Sequence, residues 1–188
     1  MPTSWEIRIK RLGIQVSGDN TRTYATYQVL IDDKPVAALS GNLCERIGPS
    51  STKPNSGKRI KSGKYPLSTQ FGTNYKSIDF SDVTKPGGVK PMPGVLLMKT
   101  APRSAILIHP SHPPTPYISS VGCLNPTQPR TSKQNIDFID SRSRIIALID
   151  SLKAFAPDAF KKKQNTAIPG AFVTIEGDPD NILPASQS

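Results

Sequence analysis

The segment SWEIRIKRLGIQV, residues 4–16, sets the period of most of this chain: Trp5, Ile7, Ile9 and Leu12 are apolar positions broken by charged ones. Side chains that repeat every second residue suit a strand with one face buried and the other in water. After the turn signal SGDNTR, TYATYQVLID repeats the pattern, which predicts a β-hairpin. KPVAAL, after Asp32 and Asp33, predicts a third short strand. GPSSTKPNSGKR reads as a loop, and IKSGKYPLSTQFG carries another short strand entered through a turn. Residues 74–94 contain VTKPGGVKPMPG and show little periodicity, so a long surface loop is expected there. GVLLMK and SAILIHP are continuous apolar runs of the kind that buried strands show.

One segment changes period. In DSRSRIIALIDSLKAF, the residues Ile145, Leu148, Ile149, Leu152 and Phe155 fall on one helical face, with Asp140 or Ser141 at the N-cap. A basic KKK at 161–163 follows, then GAFVTIEG as a last strand and DPDNILPASQS as a polar C-terminal tail, 178–188. The expected fold is mainly β, sandwich- or barrel-like, with one packed amphipathic α-helix near 141–155. A single domain over 1–177 suits the length of 188 residues. The 19 prolines, 13 glycines and 36% hydrophobic residues exclude a disordered chain and favour a turn-rich one.

The formal charge of +10 calls for an anionic partner: nucleic acid, acidic lipid or a cell-wall polymer. Cys44 and Cys123 are too few for a disulfide scaffold and lack the spacing of a structural zinc site. The start MPTSWEIRIK has no apolar core of signal-peptide length, and no run approaches the roughly eighteen apolar residues of a membrane span. The expectation is a protein made in the cytoplasm without a membrane span, which another machine must deliver if it works outside.

Three of the four cysteines and histidines lie within AILIHPSHPPTPYISSVGCLNP, residues 105–126: His109, His112 and Cys123. A thiol becomes a nucleophile when an imidazole takes its proton, and attack on a carbonyl needs N–H donors for the oxyanion. His109 ends a predicted strand, Gly122 lets a substrate approach the backbone beside Cys123, and Ser120 can orient the imidazole or donate to substrate. The plain alternative is a buried thiol and a structural strand-end histidine. A zinc site of His109, His112 and Cys123 ranks below the thiol enzyme, because no carboxylate lies between 104 and 136; no cofactor is expected.

ILIH, a proline-rich gap and SVGCLN together resemble the signature of L,D-transpeptidase (YkuD-type) catalytic domains. There a strand ends in His, and a later Ser/Thr-x-Gly-Cys-hydrophobic-Arg/Asn carries the nucleophile. The identity of motif covers about 106–126; the order of strands, helix and last strand is similar over 40–177. The resemblance implies Cys123 as nucleophile, His109 as base, Ser120 and Gly122 as motif residues, and Asn125 as the polar residue closing it. His112 and Tyr117, in the gap, would contact substrate. Val121 stands where that family often has His, and the gap is short, as in small variants found in phage proteins and interbacterial toxins.

What this implies is attack on peptidoglycan stem peptides through a Cys123 thioester, giving carboxypeptidase, exchange or crosslinking products. With no visible signal, it further implies delivery by another machine, as a phage component or, in preference, as an antibacterial effector carried by a secretion system into a competitor's periplasm, with an immunity protein binding the groove. Cys44 is expected as a small buried residue rather than a redox lock on Cys123, and Glu45 as a candidate lining the groove. The competing class is a basic nucleic-acid-binding or structural phage protein using Tyr24, Tyr27, Tyr65, Tyr75 and SGKRIKSGK. It leaves the spacing of His109 and Cys123 without a purpose.

Overall fold

The computed structural model describes residues 2–82, 89–115, 117–130 and 135–184. Three long strands open the chain: β1 (Trp5–Ser17), β2 (Asn20–Ile31) and β3 (Lys34–Glu45). Then come β4 (Gly63–Thr69), β5 (Tyr75–Lys76), β6 (Met92–Pro93), β7 (Val95–Leu97), β8 (Leu107–Ile108) and β9 (Asn125–Thr127). Helix α1 (Phe138–Phe155), a 3-10 turn (Pro157–Phe160) and β10 (Ala167–Glu176) complete it. Eight strands form one sheet in the order β8-β7-β4-β10-β1-β2-β3-β9, nearly closed into a barrel, while β5 and β6 pair beside it. The protein is mainly β with a single α-helix.

Alternation explains β1. Trp5, Ile7 and Ile9 point into the core, and continuing the count places Arg11 inside and Leu12 outside. Leu12, expected on the apolar face, is thus exposed; it is the extra residue of a bulge between Arg11 and Gly13 opposite β2. Arg11 is tolerated because Glu45 accepts from its Nε and Nη2 at 2.6 and 2.9 Å, with both side chains fully buried. Strand β3 runs on past KPVAAL to Glu45, and β9 is an additional strand for which the alternation gave no sign. The expected surface loop at 74–94 contains β5 and β6; residues 83–88 of it lie outside the described residues.

The helix begins earlier than its apolar face suggests. Asp137 is the N-cap, accepting from Asp140 N–H at 2.8 Å, in place of Asp140 or Ser141. Ile145, Leu148, Ile149 and Leu152 join Trp5, Ile7 and Ile9 in one core. At about 1.5–3 kcal/mol per buried aliphatic side chain, that face outweighs a cap contributing about 1 kcal/mol in placing the helix. Trp5 Nε1 adds a hydrogen bond to Ser151 Oγ at 2.9 Å. Ser141 joins two other segments, since its hydroxyl donates to Pro126 O at 2.5 Å and accepts from Ser111 N–H at 3.0 Å. The first turn of α1 therefore ties β9 to the segment that follows β8.

The last described residues fold back along β1. Ile14 N–H donates to Asn181 O and Leu183 N–H to Ile14 O, each at 2.8 Å, and Asp178 accepts from Arg59. Among the described residues no helix is long and apolar enough to cross a membrane.

Candidate active site

The two edges of the large sheet meet at one place. Ile108 and Leu124 form a parallel bridge, in which His109 N–H donates to Leu124 O at 3.0 Å and Leu124 N–H to Leu107 O at 2.8 Å. Strand alternation then sorts the side chains: Ile106, Ile108 and Leu124 enter the core, whereas Leu107, His109 and Cys123 face a groove of about 590 Å³. The seam of the barrel thus brings His109 and Cys123, fourteen positions apart, to the same wall.

The turn before Cys123 is clamped from two sides. Arg46, just beyond β3, donates through Nε to Ser120 O, and Arg103 donates through Nη2 to Val121 O at 3.2 Å. Arg103 is itself fixed by Ser51 O and Lys58 O at 3.1 and 3.0 Å. Its guanidinium lies so close behind Gly122 that a Cβ there would stand 1.7 Å from Nη2, and Gly122 holds φ at +149°. Only glycine fits this position. Ser120 Oγ locks the turn by donating to Cys123 O at 2.7 Å and accepting from Gly122 N–H at 2.8 Å. Of the amides expected to face an oxyanion, that of Gly122 is thereby occupied, and that of Cys123 has no acceptor among the described residues.

His109 Nδ1–H donates to Pro110 O at 2.8 Å, which in the neutral ring leaves the lone pair on Nε2. Burial pushes its pKa down to about 4, against the pull of the Pro110 carbonyl. Burial also raises the Cys123 thiol, opposed by the Leu107 N–H and the positive charge of Arg103. Both shifts favour a neutral thiol and a neutral imidazole at rest. The thiol accepts from Leu107 N–H at 3.4 Å and donates to Ala105 O at 3.6 Å.

Tyr75, carried by β5, packs against the imidazole of His109, with ring centroids 4.3 Å apart. Its hydroxyl and His112 Nε2 are 3.1 Å apart, and His112 Nδ1–H donates to Pro113 O at 2.9 Å. Each histidine therefore has its tautomer set by the carbonyl of the proline that follows it.

Cys123, His109, Ser120 and His112 all line the groove, with Gly122 beneath it. Three other expectations are corrected. Asn125 is fully buried: its Oδ1 accepts from Ser119 N–H and its Nδ2 donates to His109 O, both at 3.1 Å, so it holds backbone rather than meeting substrate. Tyr117 does not line this groove: its hydroxyl donates to Gln15 O at 3.0 Å beneath the guanidinium of Arg22, and it lines the adjoining cavity instead. Glu45 belongs to the buried pair with Arg11 and does not line the groove. Cys44 is fully buried, and both thiols are free.

The arginines Arg46 and Arg103 and the ring of Tyr75 were not assigned to the site from sequence; only their distant contacts reveal them. Among the described residues no three His, Cys, Asp or Glu side chains are grouped as metal ligands. Of the residues offered for nucleic acid, Tyr24 and Tyr27 are buried, and Arg59 is bonded to Thr23 Oγ1 and Asp178. Comparison of the chain with protein-family models, with curated proteins and with solved structures finds no match.

Proposed function

We propose that this protein is a cysteine acyl-transfer enzyme of the L,D-transpeptidase type, acting on the stem peptides of peptidoglycan. The observation that carries the proposal is the seam: Cys123 and His109 face one groove, and the Pro110 carbonyl keeps the basic nitrogen of His109 free. The motif resemblance supplies the substrate class. In the reaction, the Cys123 thiol leaves Ala105 O and passes its proton to His109 Nε2. The thiolate adds to the carbonyl of the diamino acid at stem position three, and the Cys123 N–H stabilises the oxyanion. The bond to the terminal D-alanine breaks, its nitrogen takes the proton from His109, and a thioester remains on Cys123. Water, an amine of a second stem or a free D-amino acid then releases the acyl group.

A resting thiol–imidazole pair without a direct hydrogen bond suits an enzyme that tightens its contacts only around substrate. The same proposal covers action in the periplasm of a target bacterium and an immunity protein that plugs the groove. The test is mass spectrometry of tetrapeptide muropeptides incubated with the wild type and with Cys123→Ala, with and without a free D-amino acid. Loss of D-alanine, exchange or dimer formation is expected with the wild type alone. Unchanged muropeptides, with folded and reduced protein, would refute the proposal.

A further inference from the structure

The groove does not end at the thiol. A second cavity of about 400 Å³ lies beside it, and the two share Arg46, Thr115 and Ile118 in their walls. Among the described residues lining either cavity, Arg46 is the one Lys, Arg, Asp or Glu side chain.

Other arginines of the barrel are occupied by the protein itself. Arg11 is held by Glu45, Arg22 by Gln15 Oε1 and Tyr117 O, Arg59 by Asp178 and Thr23, and Arg103 by three carbonyls. Arg46 is partly exposed and spends only Nε, on Ser120 O; its two terminal nitrogens donate to no described residue. A guanidinium fixed at Nε and open at its far end presents a fork of N–H groups, which matches the two oxygens of a carboxylate. The fixation is to the residue whose hydroxyl holds Cys123 O, so the fork and the nucleophile share one turn.

We propose that Arg46 is the carboxylate anchor of the groove, selecting peptides that carry a carboxylate near the scissile bond and guiding the remainder into the second cavity. This rests on the acyl-transfer reading of Cys123. A stem peptide offers two such groups: the α-carboxylate of the terminal D-alanine, and the distal carboxylate of a dicarboxylic diamino acid.

Three tetrapeptides separate these sources: the free acid, its C-terminal amide, and a form amidated at the distal carboxylate. In Arg46→Gln, the KM for the free acid is expected to rise at least about tenfold, as for loss of a charge-assisted contact, with any change in kcat shared by acid and amides. One amide should reproduce that rise in the wild type and lose nothing further in the variant, which identifies the carboxylate; Arg46→Lys should recover part of the loss. Acid-to-amide ratios are compared within each variant, so a shift of the turn at Ser120 that slows both substrates leaves the ratio unchanged. Equal KM values for acid and amides, unaffected by Arg46→Gln while Cys123-dependent turnover persists, overturn the anchor and leave the acyl-transfer reading intact. Should the wild type convert no stem peptide, that reading falls and the anchor is tested alone, by alkylation of Cys123 with N-iodoacetyl-D-alanine and with its amide. Preference for the acid that disappears in Arg46→Gln upholds the anchor; equal rates in both proteins overturn it.

Discussion

Cys44 and Cys123 are both buried thiols of one small barrel, and they differ in nearly everything around them. Cys44 sits on β3 opposite Tyr24 and Asn125, in a cluster with Tyr117, Ile118 and Ile136. Burial pushes its pKa up to about 12, with the charge of Arg22 pulling the other way and that of Glu45 adding to the rise. Cys123 is also raised by burial, opposed by a backbone N–H and the charge of Arg103, and an imidazole lines the same groove. Each thiol has an arginine charge pulling against burial; what distinguishes Cys123 is its place on the wall of a groove that the His109 imidazole also lines.

The two thiols are separated most widely by labelling with iodoacetamide under native conditions, read by peptide mass spectrometry. Cys123 should react faster than Cys44 by about a thousandfold, because Cys44 is reached only through opening that costs about 4 kcal/mol. The Cys123 rate should climb with pH, as its raised thiol pKa requires. Comparable rates at the two sites would erase the distinction.

The next effect concerns His109. Between pH 6.5 and about 4 the unfolded chain binds a proton at His109 that the folded chain cannot, so stability is lost as pH falls through this window. The loss at pH 4 is about 3 kcal/mol from this group. Urea unfolding of the wild type and His109→Gln should diverge in slope below pH 6.5, the variant being flatter. Parallel curves would mean that His109 is not held neutral.

The smallest effect tests the turn that separates Cys123 from an ordinary buried cysteine. Gly122→Ala should cost about 2 kcal/mol, or a fall in Tm of about 4–8 °C, since the new methyl group meets the Arg103 guanidinium. An unchanged melting curve would show that the Arg103 clamp yields easily.

Much of the fold was legible because its long elements bury one face each. The alternation from Trp5 to Ile9 and the helical spacing from Ile145 to Leu152 are properties of neighbours in sequence, and the core uses both as expected. The seam was legible in part, since SAILIHP and SVGCLN mark its two sides. β9 was not, because three residues including Pro126 carry no alternation to read. Arg46, Arg103 and Tyr75 escaped for a related reason: their roles depend on backbone carbonyls and rings from other elements, and such partners leave no local spacing. Leu12 misled because one bulge residue restores an apolar count while facing water.

The bridge between Ile108 and Leu124 also acts as a clock. Its two sides are close in sequence but belong to opposite ends of a sheet whose strands run from Trp5 to Glu176 and whose first and last members pair with each other. A chain in which that round is incomplete already owns every residue of the groove, yet holds its thiol and imidazole on unconnected edges. The reactivity proposed for Cys123 is therefore a property of the finished barrel, and its appearance during refolding would time the moment when the ring closes.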